Sequence, residues 1–177
     1  MSGRASRGDV LRVQIPLLDR LLDDRPDLSS DPALTAGEAL AVLRRSVRRD
    51  LEALLNARRP WRSWPARLSE LKTSAVGYGI PDFTAGALND PGRREQMRAE
   101  IETTIRRFEP RFAVLRVIAA EQLHDEPEPR LRLRIEALLR TEPAPEPVAF
   151  DTLVDATSAA VSIREQDGLA LWEDDHV

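Results

Sequence analysis

The sequence predicts an α+β fold, in which N-terminal helices pack on a small antiparallel or mixed sheet of three to four strands. Apolar residues recur at helical spacing from Leu40 to Leu54 and again from Met97 to Phe108. After Arg111 the pattern changes to short apolar or alternating runs separated by Pro-containing turns, as is typical of strands. Helices followed by a meander of strands define the α+β class.

Composition narrows the possible functions. The chain has 177 residues, enough for one domain with tails, and its 42% hydrophobic content is typical of a folded core. A net charge of −4 argues against a protein that binds polyanions through bulk charge. The sequence contains no cysteine, which excludes disulfides and cysteine-ligated zinc. His124 and His176 have no neighbouring cluster of metal ligands, so we expect neither metal nor cofactor.

Three regions are expected along the chain. Residues 1–33 are predicted to be a flexible leader that carries a short docking segment, residues 34–157 a folded domain, and residues 158–177 an acidic tail. No apolar stretch approaches the ~20 residues that cross a bilayer. The polar residues from Met1 to Asp9 do not resemble a secretory signal, so we expect a cytoplasmic protein.

The docking segment is a short predicted helix. Pro16 suits its first position, and Pro26 limits its extension. Its apolar stripe at helical spacing consists of Leu17, Leu18, Leu21 and Leu22. A helix of about two turns is marginal by itself, so the stripe must lie on a surface. That surface belongs either to the same domain or to a partner, and the residues alone leave both interpretations open.

The first domain helix begins at a capping box, because Glu38 can accept a hydrogen bond from the Thr35 N–H. Its predicted buried face consists of Leu40, Leu43, Val47, Leu51 and Leu54. The arginines between Arg44 and Arg49 are most simply a solvated face, and the alternative is a basic face against an acidic neighbour.

A loop with two tryptophans follows this helix. Trp61 and Trp64 alternate with arginines and are flanked by Pro60 and Pro65. The tryptophans either cover the edge of the core or contact another protein, since Trp and Arg are over-represented at binding hot spots. Stacking on a nucleic acid is a third alternative. The patch is small and the whole chain is acidic, so we expect no nucleic-acid partner.

The second domain helix ends at a rigid corner. Asp90 and Pro91 start it, and its predicted buried stripe is Met97, Ile101, Ile105 and Phe108. Its polar residues Glu95, Arg98, Glu102 and Arg106 are expected to face water. Pro110 cannot continue the helix. Glu109 can therefore accept from backbone N–H groups at this corner, or it can pair with a guanidinium such as that of Arg111.

Three strands are predicted after the corner. Residues 112–119 are apolar at almost every position, which favours a strand that is covered on both faces. Residues 130–140 alternate strictly, which is typical of a half-exposed strand antiparallel to the first. Residues 148–155 form the third predicted strand.

Four segments in a fixed order resemble the phage baseplate wedge family and, more closely, the TssE family of type VI secretion baseplate subunits. They are residues 47–59, the Gly77-Tyr78-Gly79-Ile80-Pro81-Asp82-Phe83 segment, Phe108-Glu109-Pro110-Arg111, and Phe150-Asp151-Thr152. The leucine-rich leader is similar to the family's leader segment. The usual Asn and Leu of the second segment are replaced by Gly77 and Ile80.

The resemblance implies a structural protein of the baseplate wedge. It implies binding to the wedge subunits TssF and TssG, with TssK as a further candidate, and a sheath-like fold that starts polymerisation of TssB and TssC. It also implies a cytoplasmic location at a baseplate docked on the inner membrane. The predicted partner-binding residues are Glu109, Pro110, Arg111, Leu18, Leu21, Leu22, Trp61 and Trp64. From the sequence, we expect the variants Glu109→Ala and Arg111→Ala to remain folded but to stop assembly of the baseplate or the sheath.

The alternative function is a peptidoglycan-cleaving enzyme, because some wedge-family members carry a lysozyme label. Glu109 would be its general acid, and glycoside hydrolysis usually needs a second carboxylate, for which Asp82 and Asp151 are conceivable. Arg107 and Arg111 flank Glu109 and should favour its charged form, which is unsuited to a general acid. We therefore expect no catalytic residues and no small-molecule substrate.

Overall fold

The computed structural model describes residues 13–21, 34–59, 65–82, 90–120, 130–155, 158 and 160–166. Its helices are α1 (Leu17–Leu21), α2 (Ala36–Asn56) and α3 (Pro91–Phe108), with 3₁₀ helices at Ala66–Thr73 and Ala75–Gly77. Its strands are β1 (Arg58–Arg59), β2 (Ile80–Pro81), β3 (Phe112–Ala119), β4 (Arg130–Leu139), β5 (Glu146–Asp155) and β6 (Val161–Glu165). The predicted α+β class is confirmed.

The main sheet is an antiparallel meander in the order β3-β4-β5-β6, which makes β3 and β6 its edges. Strands β1 and β2 form a separate parallel pair. Strand β6 falls within the residues that the sequence assigned to the acidic tail. Only Val161 and Ile163 are buried in this short strand, so its apolar pattern is too brief to be recognised without its neighbour β5.

One core lies between the two long helices and one face of the main sheet. The Thr35 hydroxyl accepts from the Glu38 N–H, and the Glu38 carboxylate accepts from the Thr35 N–H, which confirms the predicted capping box. The predicted helix stripes are buried at Leu43, Val47, Leu51, Leu54, Met97, Ile101 and Ile105. Leu40 and Phe108 lie at the margin of the core and are partly exposed.

The strands differ in how well the sequence predicted their exposure. Strand β4 alternates between buried and half-buried residues, as its pattern predicted. The expectation that β3 is covered on both faces was wrong, because Val114 is 42% exposed and Arg116 is also exposed. Helices α2 and α3 both pack on the same face of the sheet, so the opposite face has no helix above it in the described chain.

The segment before residue 83 packs closely against the end of α2. Gly79 has a φ of +98°, a conformation that other residues rarely adopt, and its backbone lies against Ala57. The Ile80 N–H donates to the Ala57 carbonyl at 3.1 Å. Tyr78 is 38% exposed and contacts the Phe108 ring edge-on, with the two ring centroids 5.4 Å apart. Phe83 lies outside the described residues.

None of the helices in the described ranges has the length and apolar character that crossing a membrane requires.

Candidate functional site

The predicted corner joins α3 to β3 and is held by its own side chains. Glu109 caps α3, since its N–H donates to the Ile105 carbonyl at 2.8 Å, and it is only 5% exposed. Arg111 donates from Nε to Glu109 Oε1 at 2.6 Å and from Nη2 to Glu109 Oε2. The backbone N–H of Arg111 donates to the same Oε1 at 3.2 Å. These bonds form a tight ring around Pro110, whose side chain is exposed.

Arg111 also connects the corner to α2. Its Nη2 donates to Asp50 Oδ2 at 2.7 Å, and its Nη1 donates to Ser46 Oγ at 3.2 Å. The Ser46 hydroxyl donates to Asp50 Oδ2 at 3.4 Å. Ser46 and Asp50 are one helical turn apart, so α2 presents both to the same guanidinium.

The network continues from α2 to the leader. Arg49 donates from Nη1 to Asp19 Oδ1 at 2.8 Å and from Nη2 to Asp19 Oδ2 at 3.3 Å. Its Nε donates to Asp50 Oδ1 at 3.2 Å. A continuous chain of bonds therefore joins Asp19, Arg49, Asp50, Arg111 and Glu109. We call these five residues together with Ser46 the corner network.

Charge pairing stabilises the ionised forms of Asp19 and Arg111 in the corner network. The hydrogen bonds from Arg49 lower the pKa of Asp19 below its usual value. Burial disfavours the charge on Arg111, but the bonds to Glu109 and Asp50 outweigh it and raise the pKa of the guanidinium. Burial also raises the pKa of the nearby Tyr78 phenol, with smaller contributions from Asp50 and Glu109.

The leader helix is attached through its polar side. Asp19 is bonded to Arg49, whereas Leu17, Leu18 and Leu21 are 67%, 52% and 72% exposed. The leucine stripe was expected to lie either on its own domain or on a partner. Within the described chain, the domain does not cover these three leucines. Leu22 lies outside the described residues, as do Trp61 and Trp64.

Two open cavities adjoin the leader and the corner. One, of about 320 Å³, is lined by Pro16, Tyr78, Phe108 and Pro110 among others. The other, of about 310 Å³, is lined by Ile15, Leu17, Leu43 and Arg140 among others. Pro16, Pro110 and Arg111 line both cavities, and Asp50 and Glu109 of the corner network also line the first.

Comparison with protein families assigns the chain. A family model described as baseplate wedge protein gp25 matches residues 41–144, which include most of α2, the whole of α3, the corner and strands β3 and β4. The chain belongs to this baseplate wedge family. The match confirms the predicted resemblance to the baseplate wedge family and contains the first three of its four segments, whereas residues 150–152 lie beyond it. It supports a structural role in a baseplate. No curated protein matches the chain.

The geometry of this wedge protein argues against Glu109 as a general acid. The Glu109 carboxylate is buried and both of its oxygens accept from Arg111. The conceivable partner Asp151 lies on β5, where Arg134 is 3.7 Å away. Within the described residues, no group of three or more His, Asp or Glu side chains is arranged to hold a metal ion. The wedge family is itself a structural one.

Sequence reasoning missed four of the six residues of the corner network in the wedge protein, namely Asp19, Ser46, Arg49 and Asp50. It identified Glu109 and Arg111, but it treated Arg49 as part of a solvated face and gave no role to Ser46 or Asp50. Ser46, Arg49 and Asp50 share the i, i+3, i+4 spacing of one helix face, and this was the available indication. Arg111, which bonds to Ser46 and Asp50, lies 65 and 61 residues further along the chain. A local sequence pattern therefore does not reveal it.

Proposed function

We propose that this chain is a TssE-like subunit of a type VI secretion baseplate. In this role it binds the wedge subunits TssF and TssG, with TssK as a further candidate, and helps to start polymerisation of the TssB–TssC sheath. It acts in the cytoplasm, at a baseplate docked on the inner membrane. The observation that carries the proposal is the leader, which is tied to the domain by Asp19 while its leucines remain exposed.

The leader is the first proposed contact surface. Leu18 and Leu21 are exposed on α1, and Leu17 on the same helix lines one of the two cavities. The surface of an oligomeric partner can cover such apolar side chains that the domain leaves exposed. An amphipathic helix that lies in an apolar groove is a common mode of recognition. Leu22, Trp61 and Trp64 remain candidates for the same contact.

The corner has a supporting role in this proposal. Glu109 is buried, so in this proposal it contributes by positioning Arg111. Pro110 is exposed at the surface, and the Arg111 side chain is 24% exposed. Through Asp50 and Arg49, the same network fixes Asp19 and therefore the leader.

The second proposed contact is the edge of β6. Two hydrogen bonds show which residues of β6 bond to β5. The Asp155 N–H donates to the Ala160 carbonyl, and the Gln166 N–H donates to the Ala149 carbonyl, both at 3.0 Å. The even-numbered residues of β6 therefore bond to β5, and backbone groups point away from β5 at Val161, Ile163 and Glu165. Such an edge can accept a strand from another chain, as sheath assembly by strand exchange would require.

Co-expression tests the proposal. The full chain carrying an affinity tag is expected to co-purify with TssF and TssG, and Leu18→Asp/Leu21→Asp is expected to abolish this. Leu68→Asp is the matched control, because Leu68 is also an exposed leucine, 40% accessible, on a different surface. Failure of the wild-type chain to co-purify with either subunit would refute the assignment.

A peptidoglycan-release assay on the purified chain addresses the muralytic alternative. No release is expected. Release that is lost in Glu109→Gln would replace the structural proposal by an enzymatic one.

A further inference from the structure

The backbone of edge strand β3 is bonded to side chains of α3. Arg98 Nη1 donates to the Val117 carbonyl at 2.9 Å, and Glu102 Oε2 accepts from the Val117 N–H at 3.2 Å. Arg106 Nη2 donates to the Leu115 carbonyl at 3.2 Å. These are backbone groups that face away from β4, since the Ala120 N–H bond to Arg132 places the ladder bonds on the even-numbered residues of β3.

The side chains of Arg98, Glu102 and Arg106 are also joined to one another by ion pairs. Arg98, Glu102 and Arg106 are spaced four residues apart on α3 and therefore share one face. Arg98 Nη1 is 2.8 Å from Glu102 Oε2, and Arg106 Nη2 is 2.7 Å from Glu102 Oε1. Burial alone would raise the pKa of Glu102, but the bonds from Arg106, the Val117 N–H and Arg98 together lower it. The prediction that these residues simply face water was therefore incomplete.

The opposite edge of the sheet has a different arrangement. On β6, Asn56 bonds to the backbone of Val161, accepting from its N–H at 2.9 Å and donating to its carbonyl at 2.8 Å. No bond within the described chain engages the outward backbone groups of Ile163 and Glu165. Among the residues that the structure describes, the middle of β3 is thus bonded to side chains, whereas the outward backbone groups at the end of β6 have no partner.

We propose that Arg98, Glu102 and Arg106 are an edge guard, which prevents another strand from pairing with β3 and restricts strand addition to β6. An unguarded β3 would expose the apolar run from Phe112 to Ala119 beside free N–H and C=O groups. Such an edge pairs readily with the same edge of a second copy. The guard gives the subunit a single direction in which a strand-exchanged polymer can grow.

The biological meaning of the guard rests on the proposed function, but the guard itself can be tested on the purified chain without any baseplate partner. Glu102→Ala removes the acceptor for the Val117 N–H and the anion that holds both arginines. Glu95→Ala is the matched control. It removes the same charge from the same helix and also a partner of Arg98, at 2.6 Å, but no bond to β3.

The test measures mass by light scattering over a range of protein concentrations, together with amide hydrogen exchange. In dilute Glu102→Ala we expect the Val117 amide to exchange about tenfold faster than in the wild type, because its bond is lost. At high concentration we expect the mass of Glu102→Ala to double and the β3 amides to become protected, whereas Glu95→Ala behaves as the wild type.

A folded Glu102→Ala protein that remains as monomeric as Glu95→Ala overturns the proposal, and so does a dimer in which the β3 amides stay unprotected. If circular dichroism shows that Glu102→Ala does not fold, Glu102→Gln replaces it under the same criteria. Glutamine keeps the side-chain length but loses the charge that holds the arginines. Failure of co-purification with TssF and TssG leaves these outcomes unaffected, so the two proposals fail separately.

Discussion

Arg111 donates hydrogen bonds from both its guanidinium and its backbone N–H to the carboxylate of Glu109, which lies two residues earlier in the chain. The Nε–Oε1 distance is 2.6 Å, and the backbone nitrogen is 3.2 Å from the same oxygen. Pro110 between them has no N–H to compete and fixes the direction of the turn. This ion pair between near neighbours therefore stabilises the turn from α3 to β3. It also orients the Arg111 guanidinium toward Asp50 on α2.

Glu109→Ala should destabilise the fold. The substitution leaves the partly buried Arg111 with Asp50 and Ser46 only. Removing one partner of a fully buried pair costs about 3–5 kcal/mol, which sets the upper value for the loss expected here. Urea unfolding followed by circular dichroism measures this loss. Glu95→Ala, which removes an exposed carboxylate from the same helix, should change stability by less than about 0.5 kcal/mol. Equal stabilities for the two variants would contradict a structural role of the corner.

The attachment of the leader should depend on pH. Because the pKa of Asp19 is lowered in the folded chain, its contribution is fully present above the usual value of 3.8 and is lost as the pH falls below it. The pair is partly exposed, so the contribution is about 0.5–1 kcal/mol. Amide chemical shifts of Leu17–Leu21 between pH 6 and pH 3 follow the release. Asp19→Asn at neutral pH should resemble the acidic wild type, and a leader that is unchanged in this variant would refute the prediction.

Leu18→Asp/Leu21→Asp should separate folding from binding. Both side chains are more than half exposed, so the free energy of unfolding should change by less than about 0.5 kcal/mol. Affinity for the wedge partners should fall at least tenfold, since loss of apolar contacts costs about 1.5–3 kcal/mol for each buried leucine. Calorimetric titration measures the affinity, and unchanged binding would exclude the leader as a contact surface.

Glu165→Pro should block strand addition at β6. The Glu165 N–H points away from β5 and its side chain is exposed, so the change removes a donor only from the open edge. Glu165→Ala is the control, because it loses the same contact with Arg44, at 3.9 Å, and keeps the N–H. We expect sheath assembly in cells to fail with Glu165→Pro and to proceed with Glu165→Ala. Normal assembly with both variants would move the sheath contact elsewhere.

Part of the architecture was predictable because it depends on neighbours in the chain. The capping box of α2 joins Thr35 to Glu38, the Asp90–Pro91 start of α3 is a local motif, and the alternation of β4 is set by a period of two. The Glu109–Arg111 pair belongs to the same class, because the two residues are only two positions apart. The exposure of β3 was not predictable, because an apolar run does not reveal that both helices cover the same face.

The sequence by itself determined the α+β class, the positions of the two long helices, the corner and the wedge family, since each depends on short-range spacing or on an ordered set of motifs. Tertiary structure alone decided that Arg111 meets Asp50, that Arg49 holds Asp19, and that Arg98, Glu102 and Arg106 occupy the edge of β3. A charged side chain on an amphipathic helix has the same local pattern whether it faces water or a distant backbone group. Only the packing of α2, α3 and β3 brings those partners within hydrogen-bonding distance.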